Sequence, residues 1–589
     1  MNCYTTYNFL GAMWLILLLG TSFETYAQYC VDGSCNGNTY LNSSDPNTIE
    51  YDNMVSSFHA TIVKEYDGKV IVWGQGSGQT GANVAPPLEL NGINYGIGEN
   101  KLTGSVLKFT IGGAHQFAVL TTEGLYIWGT SGALVAINIY NVANNSFRKV
   151  SIGTYNVQQE SLKSDGLPQG VQPTAVKMMF GTGQGLAIVT CDGQAWVLAS
   201  NGDAYGDGAI ATSNNNRLWH RVSTAPDTPL ENVVAVRGTY QAFMALTAEG
   251  KIYTWGVNTR LGNNTGASNR KFATLMTTVA DVTPKMIGMT RSTTGVSYYL
   301  LGTNGRLYTM GDNSSKQLGD NSTIARNSWY NVVTSSSIGG ETYELADNIA
   351  WISPQEHYNG SASINVLTKE GKLWAWGYNQ GSMLGGTVNP LPPTLMPGSI
   401  TGTYNKTKLN MGDLLMAVET GGHTSLLIKQ CATKFGYVGH QSAGSMSDHP
   451  TKDSTIVQYN FGDTSELSVC GAVSSPMFNN RKTCNGSVFD LTEAIPAVLP
   501  SGSTGIDWWM DANGTIPVVN PEAVMPGTYY GTFKGLLVKC PTAITISFYT
   551  ASDPEFKNCE SHFISNPLVR QLMQNATDTT EERNQFISR

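Results

Sequence analysis

"EGKIYTWGVNTRLGNNT", residues 249–265, recurs with small changes as "NGRLYTMGDNSSKQLGDN" at 304–321 and "EGKLWAWGYNQGSMLGG" at 370–386. Each copy opens on Glu-Gly or Asn-Gly, and each follows a short apolar run: "FMAL", "YYLL" and "INVL". Glycine accepts positive φ without steric cost, so such a pair between two apolar runs predicts a tight β-hairpin. Side chains alternate along a strand, so the residues three and five positions after the turn glycine share one face. Those residues are Tyr253 and Trp255, Tyr308 and Met310, and Trp374 and Trp376.

The same unit recurs upstream. Gly68 is followed by Ile71 and Trp73, and Gly193 by Trp196 and Leu198; a unit one residue shorter at Gly124 puts Ile127 or Trp128 in that place. Successive turn glycines are roughly 55 to 70 residues apart, a spacing in the range of repeat architectures. One hairpin cannot hide a face of this size, so neighbouring units must cover it. A buried Trp hides roughly 150–250 Å², worth about 4–6 kcal/mol of burial. Trp73, Trp128, Trp196, Trp255 and Trp376 are therefore the expected structural anchors. The glycine after the aromatic (Gly74, Gly129, Gly256, Gly311, Gly377) marks a close backbone approach, and the Gly- and Asn-rich stretch that follows reads as a loop. Strand pairs at this period predict propeller blades.

The units "GGAHQFAVLTTEGLYIWG" and "EGKLWAWGYNQGSMLGG" resemble the blade signature of the regulator of chromosome condensation repeat family. The resemblance implies an all-β, seven-bladed β-propeller over residues 50–464. A seventh unit starts at Gly421, "GGHTSLLIKQCATKFGYVGHQSAGSMSD", without the turn glycine or the Trp. "STIVQYNF", 454–461, is the expected closing strand, pairing first and last strands in one blade as the family often does.

Composition shifts after 464. Residues 465–551 resemble the immunoglobulin-like β-sandwich modules of bacterial surface and secreted proteins, through "GIDWWMDANGTIPVVNPEAVMPGTYYGTF". The resemblance implies a Cys484–Cys540 bridge between sheets, with Trp508 or Trp509 between them in sequence. Tyr529 and Tyr530 do not stand two residues before Cys540, so no tyrosine corner is expected. Residues 552–589 form a polar tail, read as disordered or as part of an incomplete module.

Residues 1–27 read as an export signal: an apolar stretch, "FLGAMWLILLLG", then Thr25 and Ala27 before a cut. A short segment, 28–49, precedes the repeats. No later stretch is apolar enough to span a membrane. Cleavage removes Cys3 and leaves an even set of cysteines for an oxidising compartment, with Cys30 and Cys35 positioned to close a small loop. Net charge is −8 and only 13% of residues are charged, which argues against nucleic acid as a partner.

No nucleophile elbow, phosphate loop or paired-acid motif occurs, and neither cysteines nor histidines have zinc-site spacing. No cofactor, no metal and no enzyme activity are expected. Nine residues before successive turn glycines stand His59, His115, Gln184, Gln241, Val296 and Ala362, with His423 in a similar context. Each reads as serving its own unit, the ring separating one from the next. His440, His449 and His562 have no carboxylate or Ser partner at a recognisable spacing. The functional expectation is a secreted or cell-surface, monomeric binding or adhesion protein with an extracellular protein or glycan partner. Loops after the W-G motif offer Asn258, Arg260, Asn313, Lys316, Tyr378, Asn379 and Gln380 as contacts. An inhibitor of an extracellular enzyme is the alternative, which the resemblance permits in secreted bacterial members; a glycan-active enzyme ranks last.

Overall fold

The computed structural model describes residues 53–559 apart from short stretches, of which 135–144, 155–160, 398–404 and 470–475 are the longest. The expected export signal, Cys30 and Cys35, and the tail beyond Cys559 lie outside the described residues.

Strands make up nearly all the regular structure. Seven sheets follow one another, spanning 54–89, 106–149, 152–221, 233–275, 284–331, 349–396 and 415–460. Six are four-stranded antiparallel meanders in chain order. The third adds Ile152–Thr154 and Ser161–Lys163, the former pairing parallel with Leu218–Arg221. The predicted hairpins join second and third strands, as where Ala242–Thr247 pairs with Ile252–Thr259 and sets Phe243 opposite Trp255. First strands converge on one another: Met54–Ser57 touches Val106–Gly112, which touches Val176–Gly181. The chain of contacts runs on through Val233–Thr239, Pro284–Arg291, Ile349–Pro354 and Leu415–Thr420, and returns to Met54–Ser57. The arrangement is propeller-like.

Closure differs from expectation. Ser454–Asn460 is a strand, but it is the outer strand of the seventh sheet, whose other three strands directly precede it. That sheet completes its own meander and has no place for a strand of the first. Among the described residues, first and seventh sheets meet by packing, and Glu65 forms a single bridge with Val469. Val469 and Leu467 are buried with residues of both sheets, so the ring runs past residue 464.

The predicted anchors act across sheet boundaries. Trp73, Trp128, Trp255 and Trp376 are at most 1% exposed. Their indole N–H groups donate to the carbonyls of Ser445, Ser77, Ala204 and Gln317, at 2.9, 2.9, 3.0 and 3.0 Å. In every case the acceptor lies in the preceding sheet, between its third and fourth strands. Trp196 behaves differently. It is buried, but its indole donates to Gln194 Oε1 at 3.2 Å within its own sheet. It stands three residues after its turn glycine, not at the boundary position, which Leu198 fills.

The glycine after the anchor is required by contact. A Cβ on Gly74 or Gly377 would stand 2.0 or 2.3 Å from the carbonyl oxygen of His59 or Ala362, between first and second strands. The next amide donates to that same carbonyl: Gln75 to His59 at 3.0 Å, Tyr378 to Ala362 at 2.9 Å.

Beyond the ring, Arg481–Thr483, Gly505–Trp509, Gly527–Lys534 and Thr542–Phe548 form one sheet. Trp508 is buried against Ile506, Phe533 and Ile544, while the Trp509 indole donates to Thr532 Oγ1 at 2.9 Å. No second sheet faces this one among the described residues; irregular segments carrying Leu491 and Val524 cover it. Tyr529 is buried and its hydroxyl donates to the Met525 carbonyl at 2.7 Å, a corner-like bond that cysteine spacing did not reveal.

Cys484 is bridged to Cys559, correcting the Cys540 pairing. Arg481–Thr483 runs parallel to Thr542–Phe548, with Thr483 opposite Phe548. Cys484 therefore lies beside the exit of that strand, and Cys540 lies before its entry. A 7-residue strand rising about 3.3 Å per residue separates them beyond disulfide reach. Cys540 is itself disulfide-bonded, to another residue. The bridge to Cys559 ties residues past 551 to the module.

Two outcomes follow. Trp376→Ala should cost about 3–5 kcal/mol, read as a large fall in thermal midpoint. Trp376→Phe, which keeps most of the ring and loses the N–H, should fall less. Non-reducing peptide mapping should recover Cys484 joined to Cys559; a Cys484–Cys540 peptide would refute the strand order of this module.

Candidate functional site

In each meander the first-to-second-strand turn and the third-to-fourth-strand loop lie at the same end of the sheet. That end of the ring gathers its unusual side chains. The turn residues His423, His59, His115, Gln184 and Gln241 make a polar arc on sheets seven, one, two, three and four, in that order. Val296 and Ala362, buried, complete the circle on sheets five and six. Gln241 Nε2 donates to Gln184 Oε1 at 2.5 Å, and Asn201 Nδ2 donates to Gln241 Oε1 at 2.8 Å.

The sixth sheet supplies a plug. Its first-to-second-strand connection runs from Gln355 to Ala362, where other sheets use a short turn. Buried Glu356 pairs with Arg237 of the fourth sheet and accepts from the Met289 amide of the fifth at 2.8 Å. The Arg237 guanidinium also stacks 4.4 Å from the Phe180 ring centroid. His357 Nδ1 donates to the Gly181 carbonyl of the third sheet at 2.6 Å, and Ser57 Oγ of the first donates to the His357 carbonyl at 2.9 Å. Tyr358 packs on Phe58 and His423, with centroids 5.0 and 5.5 Å apart. A segment that reaches sheets one, three, four, five and seven lies on the ring axis.

Histidines converge beside the plug, correcting the expectation that the ring keeps them apart. His59 and His423 occupy equivalent turns of the first and seventh sheets, and ring closure makes those sheets neighbours; their centroids are 5.1 Å apart. His440, the residue after Gly439, joins them: its Nδ1 lies 2.9 Å from His59 Nε2. One ligating atom from each of the three falls within 4.8 Å of the others. His440 Nε2 donates to Asp453 Oδ1 at 2.7 Å, a carboxylate partner brought by the hairpin that pairs Gln441 with Ser454. Burial holds His59 down to about 3 against the pull of its bond to Gln75, and the rings of His423, His440 and His115 push the same way. Burial, with His440 beside it, lowers His423 to about 4. His115 is held at about 4 by burial; its Nε2 lies 2.5 Å from Thr130 Oγ1.

His220 forms a separate dyad, Nδ1 to Asp207 Oδ2 at 2.7 Å, stacked on Tyr205. Its Nε2 lies 3.0 Å from the Asn215 carbonyl, so both ring nitrogens are engaged within the fold.

The loop residues expected to bind lie on sheets four to six; the sheet-six loop comes beside the histidines, since Gln380–Ser382 touches the strand Gly436–Gln441 and a Cβ on Gly381 would stand 3.8 Å from His440 Cβ. Asn313 and Asn379 are buried and brace their own loops: Asn313 Nδ2 donates to Asp320 Oδ1 at 2.8 Å, and Asn379 Nδ2 to the Gly385 and Val388 carbonyls at 2.9 Å. Arg260 Nε donates to Asn327 Oδ1 and its Nη1 to the Val296 carbonyl, both at 3.1 Å, clamping sheet four to sheet five. Asn258 sits at φ 57, its amide donating to Asn269 Oδ1 at 3.0 Å. Tyr378 donates its hydroxyl to Gln380 Oε1. Gln380 is exposed, and Lys316 is half-buried.

No family model and no curated protein matches the chain. Solved structures resemble it. Human WBSCR16 aligns at 15% identity and TM-score 0.45, over 67% of this chain and 93% of its own. Yeast RCC1 (Prp20), in a structure bound to Kap60, aligns at 15% identity and TM-score 0.47, over 71% and 88%. Prp20p from Saccharomyces cerevisiae aligns alone at 15% and 0.45, over 71% and 90%. The fold assignment rests on this chain's own sheets and contacts.

The histidines set a pH dependence. His115 stays neutral down to about 4 when folded, whereas an unfolded His takes up a proton near 6.5. Stability is therefore full above pH 6.5 and declines as pH falls from 6.5 toward 4. His115→Gln should flatten the fall in thermal midpoint between pH 7 and 5; an unchanged slope would show that His115 does not contribute.

Proposed function

We propose that the chain is an exported, non-enzymatic binding protein: a seven-bladed β-propeller whose plugged, histidine-bearing end meets an extracellular protein or glycan, followed by an immunoglobulin-like spacer. The plug carries this reading. Glu356 and His357 are buried and bonded to sheets one, three, four and five, so among the described residues the middle of that end is filled by side chains of this segment. A polar arc of turn residues surrounds that filled middle, which suits contact with a macromolecular partner. The Cys484–Cys559 bridge and the apolar leader in the sequence support export. Among the described residues no helix is long and apolar enough to cross a membrane.

The test is capture from extracellular protein extracts and glycan arrays with the purified chain. The double variant His115→Ala, Gln184→Ala should bind at least tenfold more weakly. Glu249→Ala with Glu370→Ala, exposed at the opposite turns, should bind as the parent does. Loss confined to the second variant would place the contact at the other end of the ring. Turnover of a glycan or peptide by the purified chain would replace this reading with an enzymatic one.

A further inference from the structure

The nitrogens facing each other between the first and seventh sheets are poorly matched as a bare pair. Asp453 only accepts, so the N–H of His440 lies on Nε2 and its Nδ1 presents a lone pair. His59 Nδ1 lies 3.2 Å from Gln75 Oε1, which likewise takes the N–H and leaves a lone pair on Nε2. Two neutral rings held this way point lone pairs at each other across 2.9 Å. A cation between them removes the conflict. The ring nitrogens of His423, the third member, have no hydrogen-bond partner among the described residues, and His423 and His440 are only half-buried.

Outer partners of this kind recur around metal-bound imidazoles: a carboxylate or carbonyl takes the far N–H, fixes the tautomer and orients the ring. Here Asp453 and Gln75 occupy those positions for two of three rings. Metal–nitrogen bonds of about 2.0–2.1 Å in a tetrahedral site set the nitrogens ~3.3 Å apart. The distances found, 2.9 Å for one pair and within 4.8 Å for the set, bracket that value, and rotation of the two half-buried rings closes the difference.

We propose that His59, His423 and His440 bind one divalent first-row transition-metal ion, of which zinc suits three imidazoles and an open fourth position. The ligands come from two sheets that share no strand among the described residues. The ion is therefore a staple across the ring closure, doing by coordination what a shared blade would do by hydrogen bonding. Metal uptake at these residues is independent of any partner.

The test uses the full chain without an affinity tag, stripped with EDTA and dialysed. Zinc titration by calorimetry should show one equivalent bound, and the thermal midpoint should rise with zinc, because a ligand that binds only the folded state stabilises it. Cobalt(II) should give the visible bands of an imidazole-bound, low-coordinate ion. His59→Gln and His423→Gln should each weaken uptake about 100-fold or more, and Asp453→Asn about tenfold. His449→Gln, altering an exposed histidine elsewhere, should bind as the parent does. The metal-free arrangements are a flipped Gln75 amide with the proton on His59 Nε2, or a second proton on His440 donated to His59 Nε2, and either predicts no uptake. Absence of stoichiometric zinc binding, a cobalt spectrum equal to that of the aqua ion, or binding that survives both His59→Gln and His423→Gln overturns the proposal. The cobalt spectrum of the parent protein decides the matter even if His59→Gln does not fold.

Discussion

One constraint recurs at four of the seven sheet boundaries: a large indole is buried where its single N–H finds an acceptor. Four boundaries meet it in the same way, with a carbonyl of the neighbouring sheet's loop at about 3 Å. The aromatic residue thus fixes both the packing of two sheets and the path of the loop between them. The following glycine fixes the rest. Its missing Cβ lets a turn carbonyl approach the third strand, and the next amide bonds to that carbonyl. The motif W-G-x is a joint, in which each letter serves a different contact.

Much of the ring was legible because those contacts are local in sequence or periodic. Turn glycines, alternating apolar positions and the boundary tryptophans all declare themselves within one unit. What depended on closure did not. His59 and His423 are 364 residues apart (423 − 59), and only the return of the seventh sheet to the first makes them neighbours. Reading each unit as isolated is the step that hid the cluster. The sequence did carry a signal: histidine occupies that turn in the first, second and last units, which are consecutive in a circle. Trp196 differs in detail: it is buried with residues of the second sheet, but it stands two positions from the boundary slot and its indole bonds within its own sheet.

The C-terminal module was harder to read for a physical reason. Strand direction is invisible in composition, and the Cys–Trp–Cys order holds for either neighbour of Cys484. Parallel pairing of the short strand at Arg481–Thr483 reverses which end of Thr542–Phe548 lies near it. The loop asparagines show the same limit at smaller scale. Asn313 and Asn379 look like surface recognition residues, and each is turned inward to hold a loop closed.

The axial segment from Glu356 to Tyr358 bears on how this molecule can vary. Elsewhere in the ring a unit answers only to its two neighbours, so insertion or loss of a unit is a local matter. A residue set contributed by one sheet and satisfied by five others counts them all. Duplicating or deleting a unit would change the distances across the axis on which the Glu356–Arg237 pair depends. The axial contacts thus tie sheets that are far apart in sequence to one another through the centre.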